Sequence, residues 1–146
     1  MEPDRLLPRA LALLAARPLS RHELKVKLAE LAEPDLIEDV LAKLTDWGYL
    51  DDQRLAEGFV ASHPGYGPAK LQQGLARRGI SPEISQAALA DFDPLAAGVR
   101  LLESHSWSHQ GHEDKALRYL LRKGFSLSQA KLCYQSWINR QNCDSC

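Results

Sequence analysis

Residues 70–89, KLQQGLARRGISPEISQAAL, return at 115–134 as KALRYLLRKGFSLSQAKLCY, an offset of 45 residues. Leu75 falls on Leu120, Arg77 on Arg122, Arg78 on Lys123, Gly79 on Gly124, Ile80 on Phe125 and Ser81 on Ser126. Each of these positions has a mechanical meaning. Two basic residues suit the negative end of a helix dipole, Gly takes the left-handed cap that follows, and a large apolar residue tucks under the turn. Ser then opens the next helix as its N-cap. The unit is therefore helix, Gly turn, helix. A further helix is expected ahead of each pair, from Asp52 to Ser62 and from Pro94 to Ser104, where Pro suits a first helical position.

A fainter copy lies upstream, where HELKVKLAELAEPDLIEDVL (22–41) aligns at an offset of 47 and sets Leu28 on Leu75 and Ile37 on Ile84. Its turn is degraded: Ala32 replaces the Gly, and Glu30 and Leu31 replace the basic pair. A helix from about Arg5 to Ala16, ended by Arg17-Pro18, should precede it, and Ser20-Arg21-His22-Glu23 reads as a capping box. The expected fold is all-α: an elongated tandem array of three three-helix, helix-turn-helix-like repeats with about nine helices. The repeats are placed at 1–50, 51–93 and 94–140, with a tail at 141–146. Trp47, Phe92 and Trp137 near the close of each repeat are expected to plug the core. Units this small are marginal alone, so neighbours must stack to cover the remaining apolar faces.

Composition agrees with the repeat. Leu (25) and Ala (18) far outnumber the 9 β-branched residues, which favours helix and nearly excludes a sheet. With 45% hydrophobic and 25% charged residues among 146, the chain reads as globular rather than disordered or membrane-embedded. The longest apolar run, Ala10 to Ala16, is bounded by Arg9 and Arg17 and falls short of a membrane span. The acidic start Met-Glu-Pro-Asp lacks the basic opening of a signal peptide, and three Cys confined to the last fourteen residues fit a reducing compartment. The cytoplasm and a monomer are the expectations.

Charge is distributed unevenly. Residues 1–60 hold 8 Lys and Arg against 12 Asp and Glu, and residues 61–146 hold 10 against 7, so the C-terminal part is the better match for an acidic partner. Lys70, Arg77 and Arg78 in the second repeat, with Lys115, Arg118, Arg122 and Lys123 in the third, recur on equivalent helices. They read either as a solvated face or as a stripe for DNA phosphates or an acidic protein groove.

Four further features need a reading. In GYLDDQRLAE (48–57), Gly48 is expected to cap one helix, an Asp to cap the next, and Arg54 to pair with a carboxylate and lock two units. No third acidic group arrives to complete a metal cage there. Gly65-Tyr66-Gly67-Pro68 lacks the Gly-Lys-Ser/Thr and the strand of a phosphate loop, and reads as a flexible hinge with Pro68 starting a helix and an exposed Tyr66 that could meet a partner or stack on a base. His105, His109 and His112 read as a surface segment, the Cys143–Cys146 pair as a frayed tail, and Cys133 as core. No nucleophile set, cofactor motif or metal site stands out, so neither catalysis nor a bound cofactor is expected.

GYLDDQRLAEGFV (48–60), GYGPAKLQQGLARRGIS (65–81) and LLRKGFS (120–126), with SRHEL at 20–24, together resemble the RecX family of bacterial recombination regulators, collinearly over nearly the whole chain. The resemblance implies a non-enzymatic regulator of the RecA recombinase in DNA recombination, repair and the SOS response. It implies tandem three-helix units lying in the helical groove of the RecA–DNA filament, hindering ATP hydrolysis and strand exchange; some members also bind DNA. Ser62-His63-Pro64 departs from the basic cluster that members often carry before the second motif, which favours RecA over DNA as the main partner, with DNA bound weakly. Lys70, Arg77, Arg78, Arg118, Arg122, Lys123 and Tyr66 are the candidate contacts. The alternatives are a helix-turn-helix DNA-binding protein acting without RecA, and a helical adaptor for another protein.

Overall fold

The computed structural model describes residues 3–104 and 111–144, with side chains from 5 to 104 and from 111 to 142. Among the described residues the regular structure is helix alone: α1 Pro3–Ala16, α2 Arg21–Leu28, α3 Pro34–Asp46, α4 Asp52–Ser62, α5 Pro68–Arg77, α6 Pro82–Ala88, α7 Pro94–Ser104, α8 Glu113–Arg122 and α9 Leu127–Asp144. Three triplets result, α1 to α3, α4 to α6 and α7 to α9. No helix among the described residues is long and apolar enough to cross a membrane.

The expected caps form. Ser20 closes a full capping box on α2: its Oγ accepts from Glu23 N–H at 3.1 Å while Glu23 Oε1 accepts from Ser20 N–H at 2.9 Å. Ser126 and Gln129 repeat that reciprocal pair at the start of α9, at 2.9 and 3.2 Å. Gly79 and Gly124 take φ of +76° and +101°. Ile80 and Phe125 then donate back to the Leu75 and Leu120 carbonyls at 3.1 Å, and both side chains are buried. Gly48 (φ +83°) builds the same turn after α3, with Tyr49 N–H on Leu44 O. The degraded turn after α2 has no left-handed residue; α2 stops in right-handed backbone at Ala29, and Pro34 starts α3.

Contacts divide the chain into two compact units, Met1–Phe59 with Gly74–Ala88, and Val60–Gln73 with Leu89–Cys146. In the first unit, Leu6, Ala10, Leu24, Leu28, Ile37, Val40, Leu41, Leu44 and Leu50 form one core. Ala56, Leu75 and Ile80 form a second, with Phe59 and Ile84 against it. The second unit's core joins Ala97, Val99 and Leu102 of α7 to Ala116 and Leu120 of α8 and to Ala130, Cys133 and Trp137 of α9. Close approach there depends on Gly98, where an added Cβ would lie 2.3 Å from Cys133 Sγ.

Two expectations require correction. Trp137 is 1% exposed and Phe92 packs against the same core, but Trp47 is 55% exposed. The reason is the turn: α3 stops at Asp46, the chain reverses through Gly48, and Leu50 takes the buried place under the turn, leaving Trp47 and Tyr49 outside. Arg54 also does not lock two units. Asp51 caps α4 through Arg54 N–H at 3.1 Å, and the Arg54 guanidinium pairs with this local carboxylate, at 3.9 Å and largely in solvent. It is Asp52 that reaches across, accepting from Arg21 N–H of α2 at 2.9 Å.

Candidate functional site

The structure joins repeat to repeat by one device, used twice. In the first unit, the start of α2 lands on the Gly turn after α5. Ser20 Oγ donates to Arg78 O at 2.5 Å, and His22 covers Gly79 so closely that an added Cβ would sit 2.4 Å from His22 Cγ. In the second unit, the start of α5 lands on the Gly turn after α8. Gly67 N–H donates to Lys123 O at 2.5 Å and Ala69 N–H to Gly124 O at 3.0 Å. An added Cβ on Gly124 would lie 2.5 Å from Lys70 Cβ, and one on Gly67 2.6 Å from Gly124 C. Here N–H groups opening one helix meet carbonyls closing another, so the two helix ends satisfy each other.

This geometry corrects the reading of Gly65 to Pro68 as a hinge. The segment is pinned by two backbone hydrogen bonds and by glycine on both sides, although Pro68 does start α5 as expected. It also supplies the physical reason why the loop is no phosphate cradle: the amides that would bind an anion already hold Lys123 O and Gly124 O. Tyr66 is half-buried rather than exposed. Its ring stacks against His63 at 4.7 Å and lies under Lys70 Nζ at 4.3 Å, so it contributes as a platform for Lys70.

The candidate cations fall into different settings. Arg78 is engaged in the fold: its guanidinium donates to Glu23 Oε1 at 2.9 and 3.2 Å and to Pro18 O at 3.0 Å. Burial pushes the Glu23 carboxyl up, but the Ser20 N–H and the Arg78 donors outweigh it and hold the group below the ordinary glutamate value. Arg77 is exposed at the end of α5, within the first unit. The second unit gathers Lys70 with Arg118, Arg122 and Lys123 of the α8 end. Lys123 Nζ lies 5.7 Å from the Tyr119 ring centre, and burial raises the Tyr119 phenol while nearby Arg122 pulls it down. Arg118 Nε reaches Asp114 O at 3.3 Å, and Lys115 is exposed.

The described residues contain no group of three His, Cys, Asp or Glu that could hold a metal ion. His105 and His109 and the side chains of Cys143 and Cys146 lie outside the described residues, and His112 is an exposed residue before α8. Cys133 is buried, as expected; burial and then Asp93 raise its thiol above the ordinary value. The capping role of Glu23 is read from sequence, but its pairing with Arg78 is not, although the 47-residue offset already sets Glu23 opposite Lys70.

Comparison with known proteins agrees with this architecture. The family models described as RecX, first three-helix domain, and RecX, second three-helix domain, match residues 9–44 and 51–89. The chain is 33% identical over 154 residues to regulatory protein RecX of Shigella sonnei, covering 92% of this chain and 91% of that protein. It is 38% identical over 126 residues to regulatory protein RecX of Xanthomonas axonopodis pv. citri, covering 80% and 78%. The crystal structure of RecX from Lactobacillus salivarius superposes with a TM-score of 0.82 at 26% identity, covering 92% of this chain and 96% of that one. With the repeat, its Gly turns and these likenesses in agreement, the chain belongs to the RecX family of regulatory proteins.

Proposed function

We propose that this chain regulates homologous recombination and DNA repair by binding the RecA filament, in whose groove it limits ATP hydrolysis and strand exchange without catalysing a reaction itself. The observation that carries the reading is the docking of the start of α5, which carries Lys70, on the turn that carries Lys123 and follows Arg122, on a scaffold of the RecX family. Tyr66 supports Lys70, and Arg118 extends the charge along α8, with Arg77 a further contact on the first unit. Arg78 serves the fold through Glu23. Inhibition requires only that one filament state be bound better than another. The protein acts as a monomer in the cytoplasm on this reading, with bare DNA a weaker ligand.

The test is RecA's DNA-dependent ATP hydrolysis on single-stranded DNA, titrating this protein to well below one per RecA monomer. Inhibition at such ratios is expected, because a filament-bound regulator acts over several protomers. No effect at equimolar protein, with helicity intact, refutes the reading. Tight binding to bare DNA at low salt would then favour an independent DNA-binding protein.

A further inference from the structure

The two repeat joints are built alike but charged differently. The offsets that align the repeats set Glu23 opposite Lys70 and Arg78 opposite Lys123. In the first joint these positions form an ion pair, with Glu23 and Arg78 at 2.9 Å. In the second joint both are lysines, fixed beside each other by the Gly67 and Gly124 contacts, with Arg122 adjacent in sequence. Among the described residues no carboxylate forms a salt bridge with Lys70 or Lys123; Lys70 Nζ lies over the Tyr66 ring and Lys123 Nζ toward that of Tyr119.

We infer that the second joint is a binding site for an acidic side chain of a protein partner, whose carboxylate meets Lys123 as Glu23 meets Arg78 in the first joint. The first joint shows what this backbone geometry accepts there: a carboxylate oxygen that receives a guanidinium while the rest of the joint stays closed. A lysine on each side of the joint offers an anion two cations, and the closed backbone between them removes much of the ordering cost of meeting it. The Gly67 and Ala69 amides, which would otherwise face an incoming phosphate, already donate to the Lys123 and Gly124 carbonyls. The inference rests on the reading that the partner is a protein filament, and it adds which chemical group of that partner is held and where.

The decisive variant is Lys70→Glu, which rebuilds in the second joint the charge pattern of the first. It is expected to keep or raise the thermal unfolding midpoint, because Glu at position 70 can pair with Lys123. It is also expected to weaken binding to immobilised RecA–single-stranded DNA filaments by at least about tenfold, the scale of losing one partner of a close charge pair. A purely structural role for Lys70 would link the two readouts, so a stabilised variant that binds worse separates them. A second arm is independent of RecA: octaglutamate, with octaglutamine as control, should raise the midpoint of the wild type and not of the variant. Wild-type filament affinity in Lys70→Glu overturns the inference and leaves the proposed function standing. If the wild type itself does not bind filaments, the proposed function fails and the octaglutamate arm decides: equal protection of both proteins, or of neither, overturns the inference. Protection by octathymidylate but not by octaglutamate also overturns it, in favour of phosphate.

Discussion

Replacing Arg78 by Met removes the charge and donors of the first joint while keeping the aliphatic stem in place. The loss can be estimated from the contacts. Arg78 makes two hydrogen bonds to one carboxylate oxygen and one to a backbone carbonyl, at 2.9, 3.2 and 3.0 Å. A hydrogen bond to a charged group contributes about 1.5–3 kcal/mol when shielded. The two side chains are 25% and 20% exposed, so water screens part of this, and a loss of about 2 kcal/mol remains. Urea denaturation followed by circular dichroism should show it as a midpoint lowered by roughly 1 M, for a slope of about 2 kcal/mol per molar. The effect must also depend on pH. Glu23 has a folded pKa below its unfolded one, so its contribution is full above the unfolded value and fades as pH falls through the folded value. Part of that depression belongs to Arg78, so the difference between wild type and Arg78→Met should shrink as pH falls through the folded value of Glu23, leaving the Pro18 contact. A loss of equal size at pH 7 and pH 3, or one under about 0.5 kcal/mol at pH 7, would refute the ion-pair account of this joint.

The two tryptophans at repeat ends should respond oppositely: Trp137→Ala should cost about 3–5 kcal/mol by urea denaturation, whereas exposed Trp47→Ala should stay within about 0.5 kcal/mol. Gly79→Ala should destabilise by about 2–3 kcal/mol, because its φ of +76° is strained for any side chain and its Cβ meets His22. Adding His22→Ala should not restore the loss, because the His22 Cβ itself lies 2.5 Å from the added Cβ; a double mutant as stable as the wild type would refute this packing. Buried Cys133, its thiol pushed up by burial, should resist iodoacetamide at pH 8 in the folded protein and react fully in denaturant, as peptide mapping would report.

Much of the fold is readable in the residues because the signals are local. Ser20 with Glu23 spans three positions, and the Arg-Arg-Gly-Ile and Arg-Lys-Gly-Phe turns carry their own caps, so α2, α5 and α8 end or begin where the pattern puts them. Trp47 shows the limit. Helical spacing from Leu44 points it inward, but one left-handed residue at Gly48 redirects the chain and Leu50 takes the buried place. The candidate site was legible as a set of cations and not as their allocation. Arg77 and Arg78 are neighbours with the same charge, yet Arg78 turns to Glu23, a residue 55 positions away, while Arg77 remains exposed. No local rule distinguishes them, because the deciding carboxylate sits in the previous repeat.

The glycines explain why repetition produces both a scaffold and a site. Gly48, Gly79 and Gly124 share one turn geometry, and each leaves a notch where a Cβ would be. Nothing lies within 4 Å of the Gly48 notch, His22 fills that of Gly79, and Lys70 fills that of Gly124. Filling the notch brings in the whole start of the preceding repeat's second helix, since Ser20 or Gly67 then reaches the carbonyl just before the Gly. The backbone joint therefore works with either pair of side chains across it, and their charges are free to differ. Glu23 opposite Arg78 closes the first joint electrostatically, whereas Lys70 and Lys123 in the second lie against the rings of Tyr66 and Tyr119. An array built on such joints can keep its fold while individual joints change sign, which is how repetition of one scaffold can yield different recognition surfaces.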